Sequence, residues 1–309
     1  IDALMNNIFS VTDFLREKIK ADGGNPHRET LHFIRTFDGN KYFKDEDGSC
    51  FRAYRFVDNS KAYDTVDSAE VFGKSGKAFG RFQKYLSDFP AESLSEIIKN
   101  FHNTIWRYEN EFIPAVQADK ADRAVNCGEE IKFVMHRRED CKKLVELIEK
   151  GELPLRVTHN DTKLNNVLFD SESDDAICVI DLDTVMPGLA LYDFGDSIRF
   201  GANSCAEDDD NYDKVELMLD YFEAYAKGFL SEAGDALNQC EIDNLAFSAK
   251  LMTFECGMRF LTDYLNGDTY FKTAYPEHNL VRAKNQFALV ADMERKMEQM
   301  QQIIKNITK

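Results

Sequence analysis

The sequence predicts a mixed α+β fold in which a small β-containing part precedes a large, mostly helical part. Short alternating apolar runs joined by Asp-Gly dipeptides occupy residues 30–59, and apolar residues at helical spacing dominate from about residue 60 onward. An island of strand pattern, residues 155–183, interrupts the helical region. We therefore predict an N-terminal part over residues 1–59 and a helical C-terminal part over residues 60–309.

The N-terminal part opens with a predicted amphipathic helix, IDALMNNIFSVTDFLREKIKADGG, whose apolar residues keep helical spacing up to a Gly-Gly stop. Three short runs follow, TLHFIRTF, NKYFKD and SCFRAYRFVDN, separated by Asp38-Gly39 and Asp47-Gly48. Asp-Gly between alternating runs is a strong hairpin signal, so these runs predict a β meander.

The C-terminal part begins with SAEVFGKSGKAFGRFQKYLSDF, which has one apolar helical face with glycines inside it. These glycines lack the G-x-x-x-x-G-K-[ST] spacing of a phosphate-binding loop, so we interpret them as sites of close helix packing. The segment ADRAVNCGEEIKFVMHRREDCKKLVELIEKGELP predicts one or two further amphipathic helices, and after Asp193 the pattern is helical again.

Composition limits the partners that this chain can have. Acidic residues outnumber basic ones by 55 to 38, a formal net charge of −17, which disfavours nucleic-acid and anionic-membrane surfaces. The seven cysteines are scattered without a C-x-x-C pair, which is typical of free thiols in a reducing cytosol. No apolar run reaches the length of a membrane span, so we expect a cytoplasmic protein. The oligomeric state stays open.

The stretch RVTHNDTKLNNVLFD, residues 156–170, carries the pattern that points to chemistry. It fits H-x-D-x-x-x-x-N with His159, Asp161 and Asn166, and Asp181 ends the next apolar run. A hairpin between the two runs would bring Asp181 beside Asn166. An Asn–Asp oxygen pair suits Mg²⁺, and Asp161 is then placed to accept a hydroxyl proton, the division of labour of kinase-type phosphoryl transfer. The alternative is that these residues serve only as turn formers.

Two further aspartates have more than one expected role. Asp193 heads a literal Asp-Phe-Gly triplet, but it directly precedes a helical run, so we expect it to cap that helix and to brace the active-site loop. Asp183 falls on the same side of its strand as Asp181, which leaves a second metal contact and a substrate contact both open.

Three blocks, THNDTKLNNVLFD, VIDLDTVMPGLALYDFGDSIRFGAN and ECGMRFLTDYLNGDTYFKTAYPEHNLVR, resemble the aminoglycoside phosphotransferase and choline kinase superfamily, and within it the bacterial N-acetylhexosamine 1-kinases. The resemblance implies a protein-kinase-like fold of two lobes that uses ATP and Mg²⁺. It also implies transfer of the γ-phosphate to the anomeric hydroxyl of N-acetylglucosamine or N-acetylgalactosamine. The predicted partners are therefore ATP and a small sugar acceptor.

The same resemblance assigns roles to individual residues. Asp161 would be the catalytic base in contact with the acceptor, and Asn166 and Asp181 would hold the magnesium. Arg259 and Tyr270 would hold the sugar.

Three side chains of the quoted blocks have more than one expected role. Arg259 could form an ion pair with Glu255, one helical turn earlier, and Tyr270 could be a core residue. Arg199 could reach the phosphates or brace Asp193, and we expect the second.

The adenine-binding hinge falls, by the same resemblance, in YRFVDN, with backbone groups of Arg55, Phe56 and Val57. Members of this family carry a glycine-rich hairpin over the phosphates before the first helix. No G-x-G-x-x-G occurs here, and the sequence begins at Ile1 directly in a helical pattern. We therefore expect a truncated N-terminal lobe.

Two other functions stay open at this point. The acidic helical part suits a cationic acceptor, so a kinase for an aminoglycoside, choline, homoserine or methylthioribose is the second hypothesis. If Arg259 points into the acceptor pocket, it argues against this hypothesis, because it would repel a cation there. The third hypothesis is a kinase-shaped binding protein without catalysis. It would need a broken catalytic set, yet Asp161, Asn166 and Asp181 are all present.

Overall fold

The computed structural model describes residues 1–309 as a helical protein with several small antiparallel sheets. The helices are α1 (Asp2–Ala21), α2 (Ala69–Tyr85), α3 (Thr104–Arg107), α4 (Ile113–Ala118), α5 (Gly128–Met135), α6 (Arg138–Glu149), α7 (Ala190–Gly201), α8 (Leu219–Ala233), α9 (Gln239–Asn266) and α10 (His278–Ile307). The strands are β1 (Phe33–Ile34), β2 (Phe43–Lys44), β3 (Cys50–Phe51), β4 (Ala53–Tyr54), β5 (Ser60–Lys61), β6 (Arg156–Thr158), β7 (Val167–Asp170), β8 (Ala176–Val179) and β9 (Met186–Gly188). The predicted α+β class is confirmed.

The N-terminal part contains the predicted helix and the predicted turns. β2 pairs with β3 as predicted, but β1 pairs with β4, so the first run pairs with the third and the predicted β meander is wrong there. Gly39 and Gly48 in the two turns have φ of 83° and 90°, a conformation that glycine adopts without strain. These strands are only two residues long. Both residues of β2, β3 and β4 are exposed, so no buried face extends the pairing. The division of the chain at residue 59 stays a prediction.

Helix α1 lies against the C-terminal part through one buried asparagine. The amide nitrogen of Asn7 donates to the carbonyl oxygens of Ser95 at 2.8 Å and Val185 at 2.9 Å, and its amide oxygen accepts the Ser95 N–H at 2.9 Å. Val185 directly follows the 3₁₀ turn Leu182–Thr184. The helix is therefore fixed to the segment that carries Asp183.

Helices α2 and α8 pack at unusually short range through the glycines of α2. A Cβ on Gly76 would lie 2.5 Å from the carbonyl oxygen of Tyr225, and one on Gly80 would lie closer still to that of Phe229. The predicted packing role of these glycines is confirmed. This contact also holds Gln83, near the end of α2, in the protein interior.

The strand island forms two separate small sheets. β7 and β8 make the predicted hairpin, with Val167 opposite Val179, and β5 pairs with the other edge of β7. β6 pairs instead with β9. The loop between β6 and β7, residues 159–166, therefore leaves one sheet and enters the other.

Helix α9 is the centre of the C-terminal part and packs against α7 and α10. Residues 202–218, between α7 and α8, contain only a 3₁₀ turn, Tyr212–Lys214, so the prediction of continuous helix after Asp193 is wrong there. This segment includes the acidic run 207–210, which offers no apolar face to pack. None of the helices combines the length and the hydrophobicity that a membrane crossing requires.

Candidate active site

The loop at residues 159–166, called the catalytic loop below, is held in place by His159. Its buried ring places Nε2 at 2.8 Å from the carbonyl oxygen of Ile180, and its Nδ1 lies 3.3 Å from the backbone nitrogen of Asp161. A carbonyl oxygen only accepts, so Nε2 carries the proton and Nδ1 accepts the Asp161 N–H. The ring thereby ties the catalytic loop to the end of β8.

Asp193 braces the same loop from α7. Its fully buried carboxylate accepts the backbone N–H groups of His159 at 2.9 Å and Asn160 at 2.8 Å, and the Gln83 side-chain N–H at 2.9 Å. The expected bracing role is confirmed. The expected capping role is wrong, because Asp193 lies inside the first turn of α7, which starts after Leu189 and has no side-chain cap. Both carboxylate oxygens are taken by N–H donors and face the loop.

Asp161 is held by two neighbours on the catalytic loop. One carboxylate oxygen lies 2.8 Å from the Lys163 ammonium and the other accepts from the Asn166 amide at 3.1 Å. Burial disfavours the charged form of Lys163, but the Asp161 carboxylate outweighs it and raises the pKa of the lysine above its ordinary value. Asp161 therefore has a fixed orientation, while 29% of its side chain stays accessible.

Asn166 and Asp181 lie together, as the hairpin predicted, and their free oxygens fit a hard metal ion. The Ile180 N–H donates to the Asn166 carbonyl oxygen at 2.9 Å, so Asp181 follows directly beside it. The amide nitrogen of Asn166 is used on Asp161, which leaves its amide oxygen free, and the exposed Asp181 carboxylate has no partner. No group of three or more His, Cys, Asp or Glu side chains is arranged for a metal. The donors that fit are this Asn–Asp pair, which suits Mg²⁺ because that ion keeps several waters.

Asp183 differs from Asp181 because its carboxylate forms an ion pair with a cationic side chain of the protein. The Arg52 guanidinium lies 2.5 Å from one Asp183 oxygen and stacks 5.6 Å from the centroid of the Phe33 ring. Arg52 lies between β3 and β4, so the N-terminal hairpins reach the active site through this ion pair. The expected metal or substrate contact of Asp183 stays a prediction.

The three hinge residues lie in the connection between β4 and β5. The Arg55 N–H donates to His32, whereas the N–H groups of Phe56 and Val57 have no acceptor in the protein. Val57 is buried, and the Phe56 side chain is 74% exposed. Free backbone donors in this connection are compatible with adenine binding, and that role stays a prediction.

A cavity of about 440 Å³ opens beside Asp161 and is called the acceptor cavity below. Its opposite wall comes from α9 and the loop after it, including Arg259, Phe260 and Tyr270. Tyr270 is 68% exposed, so the alternative that it is a core residue is wrong. The fold therefore brings Asp161, Arg259 and Tyr270 into one cavity.

The chain resembles known proteins in sequence and in fold. The profile of the APH phosphotransferase enzyme family matches residues 32–228. The chain belongs to this family. Three similar solved structures are a microcompartment-associated aminopropanol kinase (TM-score 0.61, 14% identity, 95% of this chain and 82% of that one), choline kinase from Cryptosporidium parvum (0.53, 14%, 97% and 80%), and amicoumacin kinase in complex with AMP-PNP, Ca²⁺ and Ami (0.51, 13%, 97% and 78%).

At these identities the structural likeness establishes the shared fold. The protein-kinase-like fold predicted from the sequence is confirmed, and the chain is a phosphotransferase enzyme with the fold of small-molecule kinases.

In this APH phosphotransferase Arg259 has no acidic partner, so the expected ion pair with Glu255 is wrong. Glu255 instead lies 2.7 Å from His102 Nδ1 and accepts the Thr104 hydroxyl at 2.5 Å. The Arg259 guanidinium lies between 5.1 and 5.8 Å from the centroids of three aromatic rings. Its N–H donors are therefore available at the acceptor cavity, which Arg259 lines.

Arg199 does not contact Asp193, so the bracing role expected for it is wrong, and the alternative contact with the phosphates stays a prediction. It pairs with Asp196 at 2.9 Å and with Glu207 at 2.5 Å, and not with Asp193. The reason is helical geometry, because Asp196 lies three residues from Arg199 on the same face of α7 while Asp193 faces the catalytic loop. Asp196 in turn accepts the Thr162 N–H at 3.1 Å, so α7 braces the loop at a second point.

Four basic side chains of the acceptor cavity had no role predicted from the sequence. Lys163 lies two positions after Asp161, so its spacing within the motif was a usable signal. His102 belongs to no motif, and Lys272 and Arg282 lie in the third block of the family resemblance, which gave them no role. Only the fold places them beside Asp161.

Proposed function

We propose that this enzyme transfers the γ-phosphate of ATP, with Mg²⁺, to the anomeric hydroxyl of an N-acetylhexosamine. One observation carries the choice of acceptor. Asp161 shares its cavity with Arg259, Lys272 and Arg282, and none of these cations forms an ion pair. In a chain with a net charge of −17, such a wall favours a neutral acceptor rich in hydroxyl and carbonyl oxygens over a cationic one.

The volume of the acceptor cavity supports a small acceptor. Its roughly 440 Å³ lies at the lower end of the range for small-molecule sites, about 300 to 1,000 Å³. Tyr270 supplies an exposed aromatic ring on the same wall as Arg259, so an apolar face and a donor group lie side by side. A sugar ring offers both kinds of surface.

Asp161 is the proposed catalytic base. The acceptor oxygen attacks the γ-phosphorus, the bond from that phosphorus to the β–γ bridging oxygen breaks, and ADP leaves. Asp161 accepts the hydroxyl proton, and Lys163 and Asn166 keep its carboxylate oriented during the transfer. Positioning of this kind is the main contribution that phosphoryl transfer needs from a protein.

Asn166 and Asp181 are the proposed magnesium ligands, because the hairpin brings their backbones together and their side-chain oxygens accept no hydrogen bond from the protein. Bound Mg²⁺ would neutralise charge on the phosphate oxygens of the nucleotide. ATP as donor is supported by the family and by the amicoumacin kinase complex with AMP-PNP. We propose the backbone of Arg55, Phe56 and Val57 as the adenine site.

A second candidate function is phosphorylation of an amino alcohol. The solved structures of similar fold include aminopropanol and choline kinases, and the net charge of −17 would attract such a cation to the protein. The local charges at the cavity wall oppose it, because the acceptor ammonium would face Arg259. The acceptor panel below separates the two functions.

The test is a direct assay of the full-length protein with MgATP. The acceptors are N-acetylglucosamine, N-acetylgalactosamine, choline, ethanolamine and kanamycin, and the product is detected by ³¹P NMR. We expect a phosphorus signal coupled to an anomeric proton, and we expect Asp161→Asn to abolish it. Turnover of choline or ethanolamine alone would overturn the sugar acceptor and leave Asp161 as the base. Full activity of Asp161→Asn would overturn the assignment of Asp161 as the catalytic base.

A further inference from the structure

His102 lies in the wall of the acceptor cavity, just before α3, and its ring is held rigidly. The ring centroid lies 4.4 Å from that of Phe101 and 5.0 Å from that of Tyr192, and only 9% of the side chain is exposed. The same cavity contains Asp161 and Arg259. A buried ring held between two aromatic neighbours has little freedom to turn.

Glu255, on α9, determines which nitrogen of that ring carries the proton. Its carboxylate is 1% exposed and contacts His102 Nδ1 at 2.7 Å and the Thr104 hydroxyl at 2.5 Å. A carboxylate only accepts, so Nδ1 of His102 carries the proton, and in the neutral ring Nε2 has a free lone pair.

The other nitrogen of His102 has no partner. Nε2 is buried, and no group of the protein forms a hydrogen bond with it. A buried polar atom without a partner costs about 1–3 kcal/mol, and native structures rarely leave one without a reason. The atom belongs to a residue that lines the cavity beside Asp161, so a donor group of the acceptor can complete it.

We propose that His102 is a specificity-determining residue whose Nε2 accepts a hydrogen bond from a second hydroxyl of the acceptor, with Glu255 as its positioning residue. The inference rests on the proposed function and narrows it to acceptors that carry at least one hydroxyl besides the one phosphorylated. Choline has a single hydroxyl and no N–H donor, so it cannot make this contact while it is being phosphorylated. Ethanolamine also lacks a second hydroxyl, and its only other donor is a charged ammonium group.

The decisive variant is His102→Asn. An asparagine amide can still donate to Glu255 from roughly the position of Nδ1, but it has no atom at the position of Nε2. His278→Asn is the matched control, because His278 is also buried, its Nδ1 accepts a backbone N–H from Ala274 at 3.1 Å, and it lies outside the acceptor cavity. Thermal unfolding of both variants establishes that they are folded.

The kinetic readout uses N-acetylglucosamine and its 3-deoxy, 4-deoxy and 6-deoxy analogues. We expect the wild type to reject one analogue by tenfold or more in kcat/KM, because the analogue leaves Nε2 without a partner. In His102→Asn, kcat/KM for N-acetylglucosamine should fall about tenfold, the preference over that analogue should shrink to about twofold, and KM for ATP should not change. Wild-type selectivity retained in His102→Asn would overturn the inference, as would an equal loss with every acceptor.

Two further outcomes separate the inference from the proposed function. Turnover of choline or ethanolamine alone would overturn both. Turnover of kanamycin alone would overturn the sugar acceptor, and the inference would then require His102→Asn to lower kcat/KM for kanamycin about tenfold.

A third readout needs no turnover at all. In ¹⁵N spectra of the histidine rings, the Nε2 signal of His102 is the one that disappears in His102→Asn. In the wild type this signal should move upfield when N-acetylglucosamine is added, because a hydrogen bond forms on its lone pair. An unchanged His102 signal at saturating N-acetylglucosamine would overturn the inference.

Discussion

The catalytic loop and the acceptor cavity treat their polar groups in opposite ways. In the loop, His159 has both ring nitrogens bonded and Asp193 has both carboxylate oxygens bonded to protein N–H groups. In the cavity, Arg259 has no acidic partner and His102 Nε2 has no partner of any kind. The difference teaches that buried polar groups with hydrogen-bond partners in the protein fix geometry, while polar groups without partners at a cavity are candidates for contact with a ligand. Asp161 belongs to both regions.

The largest expected effect comes from Asp161, where the two regions meet. Asp161→Asn should lower kcat by about a thousandfold, because the proton acceptor is lost. Its thermal unfolding should stay close to wild type, since the side chain is partly exposed. Glu172→Gln, an exposed carboxylate without a partner on the turn of the same hairpin, is the control and should keep full kcat. A comparable fall in both variants would contradict the assignment.

The next largest effect tests the catalytic loop, where His159 and Asp193 have hydrogen-bond partners in the protein. Asp193→Asn should lower the free energy of unfolding by about 2–3 kcal/mol, because the amide puts an N–H against one of the N–H donors that the carboxylate accepts. Urea unfolding monitored by circular dichroism measures this. The control is Asp181→Asn, an exposed carboxylate without a partner, which should leave stability unchanged. Equal stability of the two variants would break the comparison between the two regions.

Arg259 tests the acceptor cavity, where polar groups lack partners in the protein. Arg259→Gln should raise the acceptor KM by about tenfold, the loss of a charged hydrogen bond to the acceptor, without changing the KM for ATP. Because no protein group depends on this arginine for an ion pair, the free energy of unfolding should change by less than about 0.5 kcal/mol.

The matched control for Arg259 is Arg156, whose guanidinium pairs with the buried Glu241 at 2.5 and 2.7 Å. Arg156→Gln should destabilise the protein by about 3 kcal/mol and leave the acceptor KM unchanged. If Arg259→Gln were as destabilising as Arg156→Gln, Arg259 would be a structural residue.

The smallest effect concerns the acid side of stability. The folded pKa of Glu255 is depressed below its ordinary 4.5, so its contribution to stability is present above that value and is lost as the pH falls through the lower folded pKa. Wild-type unfolding should therefore become easier from about pH 5 downward, and Glu255→Gln should lose this part of the pH dependence. Parallel pH profiles of the two proteins would show that Glu255 is not ionised in the fold.

The sequence by itself determined the local features of this enzyme. His159, Asp161, Asn166 and Asp181 lie within one loop and hairpin, so turn chemistry and strand alternation were enough to bring them together. The mixed α+β class likewise followed from the periodicity of the apolar residues alone. The glycines of α2 gave a correct packing prediction, because a small residue on an apolar helical face has few other uses.

Only the tertiary structure decided the contacts between distant segments. Glu255 pairs with His102, 153 residues earlier, and not with Arg259 one turn away. Arg52 reaches Asp183 from the N-terminal hairpins, a contact that has no local signal in the sequence. The physical reason is that burial gives each charged side chain the partner that the packed fold brings within reach. The acceptor cavity is lined by side chains from distant segments of the chain, so its chemistry exists only after folding.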